Sequence, residues 1–201
     1  SHVDNFYYRP RTTFEMLQKY SEGIIATSAC IAGIIPRCID DGAFAEAKEW
    51  AQKFAALYEP GDFYIELQDH GLEEDNTVLP QLIKLARETG IPMAATNDSH
   101  YLRKDDAKMQ SILLCIQTGK TIQDADRMEF QTDEFYVKTT DEMYDLFAMV
   151  PEACANTQKI ADQCNFDFDF GHTKIPYYKA PNGMDNQEFF EKLCWDGLER
   201  R

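Results

Sequence analysis

The sequence predicts an α/β fold built on a parallel sheet, and three observations predict it. Compact, mostly apolar runs at residues 24–28, 63–68 and 91–96 have the composition of strands buried within a sheet. A segment with helical apolar spacing follows each run. Strand-then-helix units in series need crossover connections, and these bring successive strands side by side and parallel. An open sheet and part of an α/β barrel both satisfy this pattern. The 44% hydrophobic content of the 201 residues is enough for a sizeable core.

Taken in order, an aromatic and basic stretch at 6–11 leads into 13–20, where Phe14, Leu17 and Tyr20 recur at helical spacing. Gly23 opens the first strand, and Cys30 lies just past its end. Between 43 and 58, Phe44, Ala47, Trp50, Ala51, Phe54 and Leu57 trace one face of a helix that Pro60-Gly61 ends. The second strand runs into a turn at Asp69-His70-Gly71. The next helix is expected over 78–88, with Leu79, Leu82, Ile83 and Ala86 on one face; there Pro80 falls in the first turn, the place that tolerates it, and Gly90 is the cap. The third strand has Pro92 near its start and Asn97-Asp98-Ser99-His100 at its far end. A helix over 105–117 is expected to bury Met109, Ile112, Leu113 and Ile116.

Beyond Gly119 the composition changes. A polar loop precedes an expected strand at 135–138 and helices near 140–148 and 151–164, the first opened by a Thr139/Glu142 capping box. Residues 165–181 read as an irregular connection between domains, and a last helix starts near Asp185 with Glu188 three residues on.

Twenty Lys and Arg against thirty-five Asp and Glu give a net charge of -15, which repels phosphate backbones and argues against tight nucleic-acid binding by this chain alone. The six cysteines are spread out without a C-x-x-C pair and read as reduced thiols of a cytoplasmic protein. No apolar run approaches the roughly 18 residues of a membrane helix, and residues 1–4 lack the basic and apolar regions of a signal peptide.

The chemistry concentrates at strand ends. Asp98 and His100 are two apart and can project the same way if extended geometry persists. Cys30 and His70 follow the two preceding strands, and in parallel α/β architectures those carboxyl ends share one rim where ligands gather. Imidazole, carboxylate and thiolate donors suit zinc or another borderline divalent ion, and the oxygen and nitrogen donors also suit iron or manganese. Metal-assisted phosphoester hydrolysis is the matching reaction class. Singly, each residue has a structural reading as well: a packed thiol, a helix cap, a turn histidine. Only their joint placement points to a site. Two other motifs fail: Gly119-Lys120-Thr121 lacks the first glycine of a phosphate loop, where Leu114 stands, and Asp167-Phe168-Asp169-Phe170-Gly171 lacks a calcium loop's closing acid, where Tyr178 stands.

Longer strings carry a resemblance. The stretch from Ser21-Glu22-Gly23-Ile24-Ile25-Ala26-Thr27-Ser28-Ala29-Cys30 to Gly33, then Phe63-Tyr64-Ile65-Glu66-Leu67-Gln68-Asp69-His70-Gly71, Ala95-Thr96-Asn97-Asp98-Ser99-His100-Tyr101-Leu102 and Leu114-Cys115-Ile116-Gln117-Thr118-Gly119-Lys120-Thr121 form a collinear set. It resembles the polymerase-and-histidinol-phosphatase (PHP) domain of bacterial polymerase III alpha subunits, replicative polymerases of the C family. The resemblance continues to Leu193-Cys194.

The resemblance implies a partial, distorted (β/α) barrel of the PHP type over 1–175, then a mainly helical segment over 176–201 leading into the polymerase palm. It implies that Cys30, Asp98 and His100 are metal ligands, with Glu66, Gln68 and His70 matching a family segment around them. The implied activity is DNA-directed DNA polymerisation by the whole subunit, with magnesium at a site outside this segment. The PHP region would be a zinc-, manganese- or iron-dependent 3′–5′ exonuclease, or alternatively a scaffold that docks a separate proofreading exonuclease. Implied partners are DNA, deoxynucleotides, the exonuclease and other replisome subunits. The family's opening His-x-His motif and its palm carboxylates are absent, so this segment is expected to be inactive alone; a truncated barrel's open strand edge makes self-association an expectation. A free-standing α/β metallohydrolase is the remaining alternative, and the palm-like tail argues against it.

Overall fold

The fold was analysed in a computed structural model that describes residues 6–171 and 176–200. The readings made above for residues 1–4, and for 172–175 within the irregular connection, lie outside the described residues. The chain divides into two compact units, Ser1–Cys164 and Asn165–Arg201.

The first unit begins with a small antiparallel pair, β1 (Phe6–Tyr7) and β2 (Arg9–Pro10). Helix α1 (Phe14–Lys19) follows, capped by the Thr13 hydroxyl, which accepts from the Met16 N–H at 3.3 Å. The three-stranded sheet has the order β3 (Ala26–Thr27), β4 (Phe63–Leu67), β5 (Met93–Ala95), and both pairings are parallel. A mixed α/β architecture with a parallel sheet is therefore present, as the apolar runs predict.

Side chains alternate along β4. Phe63, Ile65 and Leu67 enter a core formed with Ile35 and Ile39 of α2 (Ile34–Asp40), Ala47 and Ala51 of α3 (Phe44–Ala55), and Val78, Leu79, Leu82, Leu85 and Ala86 of α4 (Glu73–Thr89). Ala47 and Ala51 are fully buried, one turn apart, and their small size lets α3 lie close on its neighbours. On the far side of β5, α7 (Pro151–Gln163) closes the sheet edge. Pro92 O accepts from the Ile65 N–H at 2.8 Å, so Met93 O points away from the sheet, and the buried Asn156 amide of α7 donates to it at 2.7 Å. That bond satisfies an edge carbonyl that burial would otherwise leave unpaired.

Four sequence expectations are corrected here. Helix α2 was not expected; Ile35, Pro36 and Ile39 bury one face, but seven residues are too few for a periodic signal. Helix α4 begins at Glu73 rather than Val78, so Pro80 lies in its interior. Its polar first turn hid the start, and burial of Val78, Leu79 and Leu82 offsets the roughly 3 kcal/mol that an interior proline costs. Residues 135–138 do not form a strand: the pairing is an isolated parallel bridge between Tyr101 and Tyr136. In α5 (Ala107–Thr118) the buried residues are Leu114 and Cys115, while Met109, Ile112, Leu113 and Ile116 are exposed. The helical spacing is present, but the face it marks is not the covered one.

Helix α6 (Thr140–Leu146) shows the expected box: the Thr139 hydroxyl accepts from the Glu142 N–H at 3.3 Å, and the Thr139 N–H donates to Glu142 Oε2 at 2.7 Å. In the second unit, α8 (Asn186–Glu199) is capped by Asp185, whose carboxylate accepts from the N–H groups of Gln187 and Glu188. Among the described residues, no helix is long and apolar enough to cross a membrane, and the six cysteines are free thiols.

The α6 box yields a pH prediction. Bonds from the Thr139 backbone, the Thr139 hydroxyl and the Tyr136 hydroxyl lower the Glu142 carboxyl from 4.5 to about 2. A depressed folded value means that its stabilisation is complete above about pH 4.5 and is lost as pH falls toward 2. In urea unfolding, the advantage of the natural chain over Glu142→Gln should be constant near neutrality and shrink across that acid window. An advantage that persists unchanged to pH 2 would refute the assignment.

Candidate metal centre

The rim of the parallel sheet starts from a carboxylate on the face of β4 opposite the core. Glu66 Oε2 accepts from the Thr27 hydroxyl of β3 at 2.5 Å. Its Oε1 accepts from the Thr96 hydroxyl just past β5 at 2.5 Å and from the Gln68 amide at 3.0 Å. The Glu66 N–H donates to the buried Ser28 hydroxyl at 2.9 Å. Glu66 therefore ties all three strands together at their carboxyl ends, with three protein donors on its carboxylate.

Above this bracket lies a cavity of about 100 Å³ whose lining includes Cys30, Glu66, Gln68, His70, Asp75, Asp98 and Phe135. Cys30 and Asp98, sixty-eight positions apart in the chain (98 less 30), thus share one wall system, as their placement after parallel strands predicts. His100 does not line the cavity; it is exposed and joined to it through Asp98, whose carbonyl accepts from His100 Nδ1 at 2.9 Å. The Asp98 carboxylate lies 3.8 Å from the same nitrogen.

The two histidines differ in environment. His70 is 4% exposed, its ring stacked on Phe135 at 4.4 Å, and burial is the main cause that pushes its pKa below the ordinary value. Its Nε2 accepts from the Asp98 N–H at 3.3 Å. A backbone N–H only donates, so that nitrogen is unprotonated and its lone pair is used. A carbonyl only accepts, so His100 Nδ1 carries hydrogen, which in the neutral ring leaves Nε2 free as a donor atom.

Residues that sequence reasoning passed over build the rest. Asp75 Oδ2 accepts from the N–H groups of His70 and Leu72 at 2.9 and 3.0 Å, fixing the turn after β4. The segment after α5 folds across the rim: Thr132 donates to His70 O at 2.7 Å, and Phe135 O accepts from His100 N at 2.8 Å. Phe130 and Phe135 flank the His100 ring. In this polar loop the aromatic residues Phe130 and Phe135 are the local signal of a site.

The turn bearing Cys30 is tightly built. Ala29 has φ 65°, in the left-handed region that side chains disfavour. A Cβ on Gly33 would meet Ser28 O at 2.5 Å and Cys30 O at 3.1 Å, so only glycine fits where the chain folds back.

A thiol, a carboxylate and an imidazole are a suitable donor chemistry for a divalent ion. Yet among the described residues no three His, Cys, Asp or Glu side chains are grouped closely enough to hold one. The described residues do not by themselves close a coordination sphere.

Comparison with known proteins bears on this arrangement. Residues 1–70 match the family model of the PHP domain. The whole chain aligns with DNA polymerase III alpha subunits, 43% identical to that of Borreliella burgdorferi, 40% to that of Treponema pallidum and 37% to that of Thermus aquaticus, with 100% of this chain covered each time. Over its whole length the chain is similar to a segment of DNA polymerase III alpha subunits. It spans 18%, 17% and 17% of the length of those three relatives. The PHP match takes in the Cys30 turn, Glu66 and His70, and ends before Thr96, Asp98 and His100.

The backbone around Cys30 gives a stability prediction. Gly33→Ala should cost about 1–3 kcal/mol, because the clashing atoms are backbone and cannot rotate away. Ala29→Gly should be neutral or stabilise by up to about 1 kcal/mol, since relief of the left-handed strain is partly offset by glycine's extra unfolded-state entropy. Urea unfolding of both variants checks this; an unaltered midpoint for Gly33→Ala would mean that the loop yields.

Proposed function

We propose that the chain is part of the catalytic alpha subunit of a bacterial replicative DNA polymerase, a cytoplasmic DNA-directed DNA polymerase acting on DNA and deoxynucleotides. Residues 1–175 then lie in its PHP domain, where the three-stranded sheet is one sector of a distorted barrel, and 176–201 lead into the palm. The polymerase site, with its magnesium, lies elsewhere in the subunit. A proofreading exonuclease and other replisome subunits are its partners.

Within that subunit the rim of this sheet contributes to a metal-dependent 3′–5′ exonuclease site. The Cys30 thiolate, the Asp98 carboxylate and His100 Nε2 would hold a divalent ion, zinc, manganese or iron, together with donors from outside this chain. Such an ion polarises a phosphoryl oxygen and supplies hydroxide at neutral pH. Glu66 and Gln68 brace the strand ends beneath it. What carries this reading is the His100 tautomer: Nδ1 is bonded to a backbone carbonyl, the arrangement that orients a ligating imidazole and leaves Nε2 free.

A second reading has its own support. Because no three donors converge among the described residues, the domain could serve as a scaffold that stabilises the polymerase and docks a separate exonuclease.

The full-length subunit separates the two. Removal of mispaired 3′ nucleotides should fall more than about tenfold in each of Cys30→Ala, Asp98→Ala and His100→Ala, at least the cost of losing a ligand's supporting contact. Unaltered metal-dependent activity in all three would remove the catalytic reading and leave the scaffold.

A further inference from the structure

We infer that His70 is a positioning residue that fixes the Asp98–His100 turn through the Asp98 backbone. The inference rests on the functional reading above for its purpose, but on geometry for its substance.

The His70 ring has little freedom. Its backbone N–H is bound by Asp75 at 2.9 Å and its carbonyl by Thr132 at 2.7 Å. The ring lies nearly parallel to Phe135, 4° between planes at 4.4 Å, and the residue is 4% exposed. From that fixed position Nε2 accepts the Asp98 N–H at 3.3 Å. The carbonyl of the same Asp98 accepts from His100 Nδ1 at 2.9 Å. Asp98 is thus gripped at both backbone polar groups, each by an imidazole, one as acceptor and one as donor. The sheet itself cannot do this: β5 ends at Ala95, and the last ladder bond beyond it runs from Thr96 N to Leu67 O at 3.0 Å. Without His70 the Asp98 N–H would lose the protein acceptor that holds it.

Two substitutions isolate the role. His70→Phe keeps a flat ring against Phe135 and deletes the acceptor; His70→Gln loses the ring but places an amide oxygen near the Nε2 position. A purely structural role, in which stacking matters, predicts that Phe is tolerated and Gln is not. Positioning predicts the reverse at one amide. In hydrogen exchange of the 201-residue chain, the Asp98 amide should exchange up to about tenfold faster in His70→Phe, the size of one lost hydrogen bond, and near the natural rate in His70→Gln. Nitrogen-15 spectra of the natural chain should show His70 protonated at Nδ1.

Equal Asp98 exchange in the natural and His70→Phe chains overturns the inference, as does an Nε2-protonated ring; the spectrum needs no variant to fold. Exchange that follows the acceptor, in a full-length subunit whose nuclease ignores Asp98→Ala, supports the positioning and counts only against the functional reading. A nuclease that falls in His70→Phe and recovers in His70→Gln supports both.

Discussion

The alternation of β4 is the constraint on which the rest depends. Ile65 and Leu67 are fully buried against the helices, and the residue between them is therefore turned to the opposite face as a carboxylate. A carboxylate beside a sheet is costly unless donors surround it. Thr27 and Thr96 supply hydroxyls from the two flanking strands, and Gln68 supplies an amide. One residue's need for donors thus fixes the lateral positions of three strand ends. The turns that carry Cys30 and Asp98 grow from those ends, so the spacing between the two is inherited from the bracket.

The parallel order of the sheet was legible in the sequence because buried strands announce themselves by composition, and crossovers leave little choice of direction. Cys30 and Asp98 were legible as neighbours for the same reason. Several other features were hidden because no local signal carries them. Helix α4 starts with Glu73, Glu74 and Asp75, residues that suit a helix N-terminus but show no apolar period. The exposed stripe of α5 shows the limit of periodicity: amphipathic spacing says that a face wants covering, and both faces of α5 carry apolar side chains. The folding of Thr132 and Phe135 onto His70 is a contact across more than sixty residues, which spacing cannot reveal.

The two histidines make the same point at the level of chemistry. Both follow strands and both have acidic neighbours in the chain, and it is the family resemblance that ranks His100 above His70 as a ligand. Their tautomers separate them. His100 donates through Nδ1 to a carbonyl, whereas His70 accepts through Nε2 from an amide. The distinction belongs to the backbone groups that each ring meets, and those are set by tertiary structure.

Strain also weighs between an operating site and a remnant. A turn kept only for packing is free to relax: a glycine at position 29 would remove the left-handed strain, and a looser loop would spare Gly33 its close approach to two carbonyls. Neither relaxation is present. The chain keeps Ala29 at φ 65° and folds Gly33 against Ser28 and Cys30, and the result holds Cys30 at the cavity shared with Asp98. Residues held in sparsely populated backbone regions persist where the surroundings over-determine them, and they cluster at sites that use the geometry. The cost lies in the backbone on either side of Cys30, and Cys30, Glu66 and Asp98 line one cavity. That coincidence supports a rim built to present donors over one built only to fill space.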